Sequence, residues 1–227
     1  MKTRKQNKNK NYIVVEKYET NILGGLLTHV YIIHINSAYS CTKNLTIKSR
    51  QKQLGQLLFK EPGLAYLTQR KISTTKLYKK DKQLMTKMKM LIDPTEKYTY
   101  CLNKNKLILA ETKTQTNKSQ IKNLLSKHIL LCGNTTCASG EMIFHKDTMI
   151  FDNSSGTFEP SVRDIQLLKK ILPFKMRIMD MNSQIHSEYF HDYWNKKYRS
   201  IFFFLLFIMR SHYICRLMGY AYVLCTS

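Results

Sequence analysis

The chain is poor in the residues that interrupt or cross-link a fold. It has only 8 Gly and 4 Pro in 227 residues, which excludes collagen-like and Pro-rich low-complexity architectures. Its 6 Cys form no C-x-x-C pair and no dense framework, so the spacing predicts reduced, mostly buried thiols rather than a disulfide scaffold. Acidic residues are scarce: 15 Asp plus Glu stand against 37 Lys plus Arg, a formal net charge of +22. No Walker loop, zinc knuckle or cofactor motif is present. His128, Cys132, Cys137 and His145 lie close in sequence, but their spacing matches no structural zinc pattern, and no metal site is assigned. What remains is a chain with 43% hydrophobic and 11% aromatic residues, enough to build a core at a length that allows one ordinary domain.

The positive charge is unevenly placed. Most of the excess lies between Cys41 and Lys127, while the segment after His128 is nearly balanced. Such a density of cations attracts phosphate backbones through counterion release, or an acidic protein, or anionic lipid. Lys is far commoner than Arg, whereas bidentate phosphate and base contacts favour the Arg fork. Abundant Lys, Asn and Ile are also what AT-rich coding yields, so a solvated basic face explains the same composition. Within this region Lys76, Lys79, Lys80, Lys82, Lys87 and Lys89 are interleaved with Tyr66, Tyr78, Met85, Met88 and Met90. Cations among aromatics are the ingredients of a single-strand nucleic-acid surface, and equally of a half-exposed helix or strand.

Along the chain, residues 1–11 read as a disordered basic arm. Tyr12 to Val15 and Leu26 to Ile35 read as a buried strand pair turning at Gly24-Gly25, a better account than a signal peptide because Glu16, Glu19, His29 and His34 interrupt the pattern. Leu54, Leu57 and Leu58 predict a short amphipathic helix over 49–60, stopped by Glu61-Pro62-Gly63. Asp93-Pro94 is a turn, and the alternation Tyr98, Tyr100, Leu102 predicts an edge strand. Lys113 to Ser119 reads as a loop. From Ile201 the chain loses Asp, Glu and Lys, with an unbroken apolar run to Met209 and Arg210, His212 and Arg216 beyond it. That segment, extended to Leu224, reads as a membrane anchor, as a buried core element or as residues from another reading frame.

The sharpest punctuation lies between His128 and Pro173. Lys127 to Cys132 is expected as a strand ending at Gly133-Asn134. Ala138 to Phe144 and Thr148 to Asp152 are expected as a hairpin around Lys146-Asp147. Asp152-Asn153-Ser154-Ser155-Gly156 is a turn, with Gly156 expected at positive φ and Gly140 at a close backbone approach. Ser161 is a helix N-cap reinforced by Asp164; Val162, Ile165, Leu168 and Leu172 give the apolar stripe, Pro173 the stop, and Met176 to Asp180 a further strand. A symmetric hairpin sets Glu141 opposite Asp152. Paired carboxylates serve general acid and base chemistry or a hard cation, and they also serve as the end of a ladder meeting a Lys. With His128 they make a candidate catalytic set, His128, Glu141 and Asp152.

The run Lys127-His128, Ala138-Ser139-Gly140-Glu141, Asp152 through Ser161 and Leu172-Pro173 resembles a segment of uncharacterised proteins of giant, mimivirus-like DNA viruses, over roughly Leu91 to Phe190. The resemblance implies a viral source, with host cytoplasm or virion as the location, and carries no activity. The expected fold is α+β: a small, mainly antiparallel sheet with one or two packed helices and a basic N-terminal half. Its expected segments are a basic arm (1–11), a basic α+β segment (12–90), an α+β core (91–190) and an apolar end (191–227). The leading functional expectation is an intracellular binding protein whose basic half meets nucleic acid or an acidic partner. The alternatives are a hydrolase or transferase of a phosphate-bearing substrate, and a membrane-associated protein held by residues 201–224.

Overall fold

A computed structural model describes residues 11–22, 26–35, 45–46, 68–111, 127–133, 135–183, 185, 186 and 189. The expected features at 1–10, 24–25, 49–63, 113–119 and 201–224 lie outside the described residues. The chain divides into two units, Met1–Met181 and Asn182–Ser227, and the first holds every strand described below.

Its strands are β1 (Tyr12–Ile22), β2 (Leu26–His34), β3 (Leu45–Thr46), β4 (Thr68–Tyr78), β5 (Tyr98–Asn103), β6 (Lys106–Glu111), β7 (Thr135–Thr136), β8 (Ala138–His145), β9 (Thr148–Asp152) and β10 (Met176–Met179). Its helices are α1 (Leu84–Leu91), α2 (Lys127–Cys132), α3 (Val162–Ile165) and α4 (Leu167–Ile171). Eight strands form one sheet in the order β10-β9-β8-β5-β6-β2-β1-β4, and β3 pairs with β7 separately. The architecture is α+β and sheet-dominated. The sheet is larger than the small one expected, because β2 pairs with β6 and so joins the basic segment to the core; residues 12–90 and 91–181 share one sheet. It is also mixed. The helical segment after β9 crosses the sheet and returns the chain as β10, parallel to β9, as a strand–helix–strand connection requires.

One face buries Tyr31, Tyr98, Tyr100, Met142 and Phe151 under α1, α3 and α4 residues such as Met88, Ile165 and Leu168. The other buries Val30, Cys101 and Ile108 with Ile129, Leu131 and Cys132 of α2 and with Phe158. At about 1.5–3 kcal/mol for each fully buried large apolar side chain, these two layers drive the assembly. The double cover corrects the reading of β5 as an edge: it lies between β6 and β8. Its alternate residues Thr99 and Cys101, at 1% and 0% exposure, are as buried as Tyr98 and Tyr100. The helix α2 is itself a correction, since Lys127 to Cys132 was expected to be extended. Six residues, of which only Ile129 to Cys132 are apolar, carry too little periodicity to separate strand from helix. Gly133, with φ of 70°, ends α2 by donating its amide to the Ile129 carbonyl at 2.8 Å, the left-handed helix stop that glycine favours.

The β8–β9 hairpin has the expected register, Met142 opposite Phe151, Ile143 opposite Ile150 and Phe144 opposite Met149. Lys146 takes φ of 51° in its two-residue turn. Ser161 caps α3 with a complete capping box: its hydroxyl accepts from the Asp164 amide, and the Asp164 carboxylate accepts from the Ser161 amide. The turn before it departs from expectation, because Gly156 has an ordinary φ and the left-handed residue is Glu159, at 44°. Asn153 organises this loop instead, its side chain donating to the Pro160 carbonyl at 3.1 Å and accepting from the Met181 amide at 2.7 Å.

Gly140 fills the role expected of it. A Cβ there would lie 2.1 Å from the backbone oxygen of Asp152, whereas one at Gly156 would meet nothing within 4 Å. Gly140→Ala should therefore lower unfolding free energy by at least about 2 kcal/mol in urea titrations, while Gly156→Ala should stay within about 0.5 kcal/mol of the parent. Equal stabilities for the two variants would contradict the close approach.

Candidate functional site

Two places gather polar chemistry. The first contains His128, Glu141 and Asp152, which the fold brings into one neighbourhood. Asp152 is fully buried. Its Oδ1 accepts from the amides of Glu141 at 2.6 Å and Ser154 at 2.9 Å, and its backbone oxygen accepts from the Tyr100 hydroxyl at 2.7 Å. Glu141 turns to Lys97, 2.6 Å away, and Lys127 at 3.6 Å. His128 donates from Nε2 to the Gly140 carbonyl at 3.1 Å. Because a carbonyl can only accept, this bond assigns the proton to Nε2. Burial holds the His128 pKa below its usual value, opposed by the Gly140 bond and by the charges of Glu141 and Asp152, so the ring is neutral at pH 7.

The structure thus gathers the three candidate residues in one neighbourhood and gives each a partner within the fold. The His128 proton sits on Nε2, and the Asp152 carboxylate receives the amides that shape the start of the loop after β9. Glu141 is the member that meets a Lys. Lys97 and Lys127 are the residues that sequence reasoning missed, because only the pairing of β5 with β8 and the packing of α2 bring them there. Among the described residues no group of three or more His, Cys, Asp or Glu is arranged to hold a metal ion. The Ser139 hydroxyl, fully buried, has no hydrogen-bond partner among the described residues.

The second place is the sheet edge. Among the described residues β4 pairs on one side, with β1, and leads through a turn into α1. Of the six lysines predicted to bind nucleic acid, Lys76 lies on β4, Lys79, Lys80 and Lys82 in the turn, and Lys87 and Lys89 on α1. The structure divides them. Lys87 pairs with Asp81 at 2.6 Å and Lys89 with Asp147. On the same strand Lys71 pairs with Glu16 and Arg70 with Glu19. Lys76, Lys79, Lys80 and Lys82 make no ion pair among the described residues, and they flank Tyr78 in the chain. Tyr78 is 60% exposed and meets Tyr12 edge to face, with centroids 6.0 Å apart. The Lys76 ammonium lies 5.4 Å from the centroid of the Tyr12 ring. Tyr12 was read only as a strand residue; its part in this surface follows from the register that sets it opposite Tyr78.

No helix among the described residues is long and apolar enough to cross a membrane. The expectation of reduced thiols holds for Cys101 and Cys132 and is corrected at Cys137, which is disulfide-bonded. The chain matches no protein-family model, no curated protein and no solved structure.

A neutral, buried His128 has a consequence for pH. Its folded pKa is depressed, so the unfolded chain binds a proton below about pH 6.5 that the folded chain resists. The contribution is present above that pH and is lost as pH falls through the folded value. Urea unfolding should show stability declining from pH 7 to pH 5 more steeply in the parent than in His128→Gln; parallel profiles would show that His128 is not held neutral.

Proposed function

We propose that the protein binds single-stranded nucleic acid along β4 and the turn into α1, with Tyr78 as the stacking platform and Lys76, Lys79, Lys80 and Lys82 as the phosphate contacts. The observation that carries the reading is Tyr78. Lysines on an edge strand have a sufficient structural purpose, since they keep the open edge from pairing with another chain. A large ring at 60% exposure, braced by a second ring over which the Lys76 ammonium lies, has no such purpose. It is what a base stacks on, and the cations supply the sequence-independent backbone affinity. The resemblance to giant-virus proteins adds a proposed viral source and no mechanism.

The test is binding of a labelled single-stranded oligonucleotide to the full chain across a salt series. Neutralising Lys76, Lys79, Lys80 and Lys82 together should weaken binding for all sequences alike and reduce the slope of log affinity against log salt by about 3. Tyr78→Ala should weaken binding about tenfold with the slope retained, the loss of one stacked base. Lys87→Gln and Lys89→Gln, which remove lysines held by Asp81 and Asp147, should change little. Affinity unmoved by both the lysine set and Tyr78→Ala would sink the proposal, and a preference for acidic peptide over oligonucleotide would replace the ligand.

A further inference from the structure

Two thiols are placed for a reaction that neither site uses. Cys101 stands in the middle of β5 and Cys132 closes α2. Their sulfur atoms are 3.1 Å apart, and the Cys132 thiol also reaches the His128 carbonyl at 3.0 Å. A disulfide needs a sulfur separation of about 2.05 Å, so bonding asks for about 1 Å of travel, within the reach of small rotations of the two side chains. Both residues are reduced here and buried, at 0% and 3% exposure. A nearby residue of the same chain, Cys137, is in a disulfide. The sheet separates it from the two thiols. Cys137 packs in the core on one face, with Tyr100 and Leu102, whereas Cys101 and Cys132 share the core on the other.

We propose that Cys101 and Cys132 form a second disulfide, a covalent staple between β5 and α2, made by thiol–disulfide exchange with a small disulfide such as oxidised glutathione. One cysteine thiolate attacks the glutathione disulfide and releases one glutathione thiolate. The second cysteine, as thiolate, then attacks the sulfur of the mixed disulfide and expels the other glutathione. Two protein thiols are oxidised, two glutathione thiols form, and the two protons leave with them. The exchange takes place while α2 docks, because in the finished fold burial pushes the Cys101 thiol far above its usual pKa and closes the sulfurs to reagent. The staple fixes the helix that carries Lys127 and His128 against the strand next to Glu141.

The experiment is refolding of the full chain in a glutathione redox buffer. Free thiols are blocked in denaturant with N-ethylmaleimide, bridged ones are then reduced and labelled with iodoacetamide, and each cysteine is read by tandem mass spectrometry. Cys101 and Cys132 are expected to carry the second label together, and in Cys101→Ser the label on Cys132 should change to the first. Cys137→Ser protein oxidised in the same buffer should melt about 10 °C above the same variant kept reduced, as a loop of this length predicts. First-label modification of Cys101 and Cys132 in protein whose Cys137 is bridged would overturn the proposal. So would linkage of either to any other cysteine, or a melting temperature indifferent to reduction in the Cys137→Ser chain.

Discussion

Much of the core hangs on one close contact, where the backbone of β8 at Gly140 passes against that of β9 at Asp152 with no room for a side chain. Bringing two strands this close around a buried carboxylate is costly unless the carboxylate is satisfied, and it is, by the amides of Glu141 and Ser154. The Tyr100 hydroxyl ties the same residue's carbonyl to the neighbouring strand. Burial raises the pKa of that hydroxyl well above its ordinary value, and the charge of Asp152 adds to the effect, so it remains a donor. Other features follow from this contact. The Gly140 carbonyl is turned to receive His128 and thereby seats α2. The chain leaving Asp152 wraps the sheet edge, burying Phe158 on one face and, after the Ser161 cap, Ile165 on the other.

Charge is organised by the same economy of acidic groups. With 15 carboxylates against 37 cations, the placement of each carboxylate decides which lysines are neutralised. Glu16 shows how firmly. Burial acts to raise its pKa, yet hydrogen bonds from Lys71, His34 and Tyr18 outweigh burial and bring it to about 2, so it stays ionised at every ordinary pH and keeps Lys71 and His34 engaged. Glu111, nearly buried, accepts from His29 Nδ1 at 3.0 Å in a second cross-strand pair. Once Glu16, Glu19, Asp81 and Asp147 have taken their partners, Lys76, Lys79, Lys80 and Lys82, near Tyr78 in the chain, are left without an ion pair among the described residues. A surface of this kind owes its charge to the composition and its shape to where the few acids fell.

Several elements were legible because their information is local. The capping box at Ser161 and Asp164, the hairpin register around Lys146-Asp147, the strand pair beginning at Tyr12 and Leu26, and the need for glycine at position 140 all rest on residues adjacent in sequence or across one turn. The misread elements depend on what lies over them. Lys127 to Cys132 is short enough to be strand or helix, and its packing against β5 and β6 makes it α2. Tyr98, Tyr100 and Leu102 alternate as an edge strand does, and become central only because α2 covers the face that Thr99 and Cys101 occupy. Gly156 sits in a turn rich in glycine-compatible residues, yet Asn153 bonds shaped that turn so that Glu159 took the left-handed position.

The sequence by itself determined the basic character of the chain, its α+β class, the β8–β9 hairpin and the start of the following helix, since charge counts, turn chemistry and caps act over a few residues. It also brought Glu141 and Asp152 into view as neighbours. Tertiary structure alone decided which partners those residues take, which lysines make no ion pair among the described residues, that Tyr12 backs Tyr78, and that two cysteines far apart in the chain meet sulfur to sulfur. Each of these depends on strand order and on which face a helix covers, and such long-range pairings leave no periodicity in a single sequence.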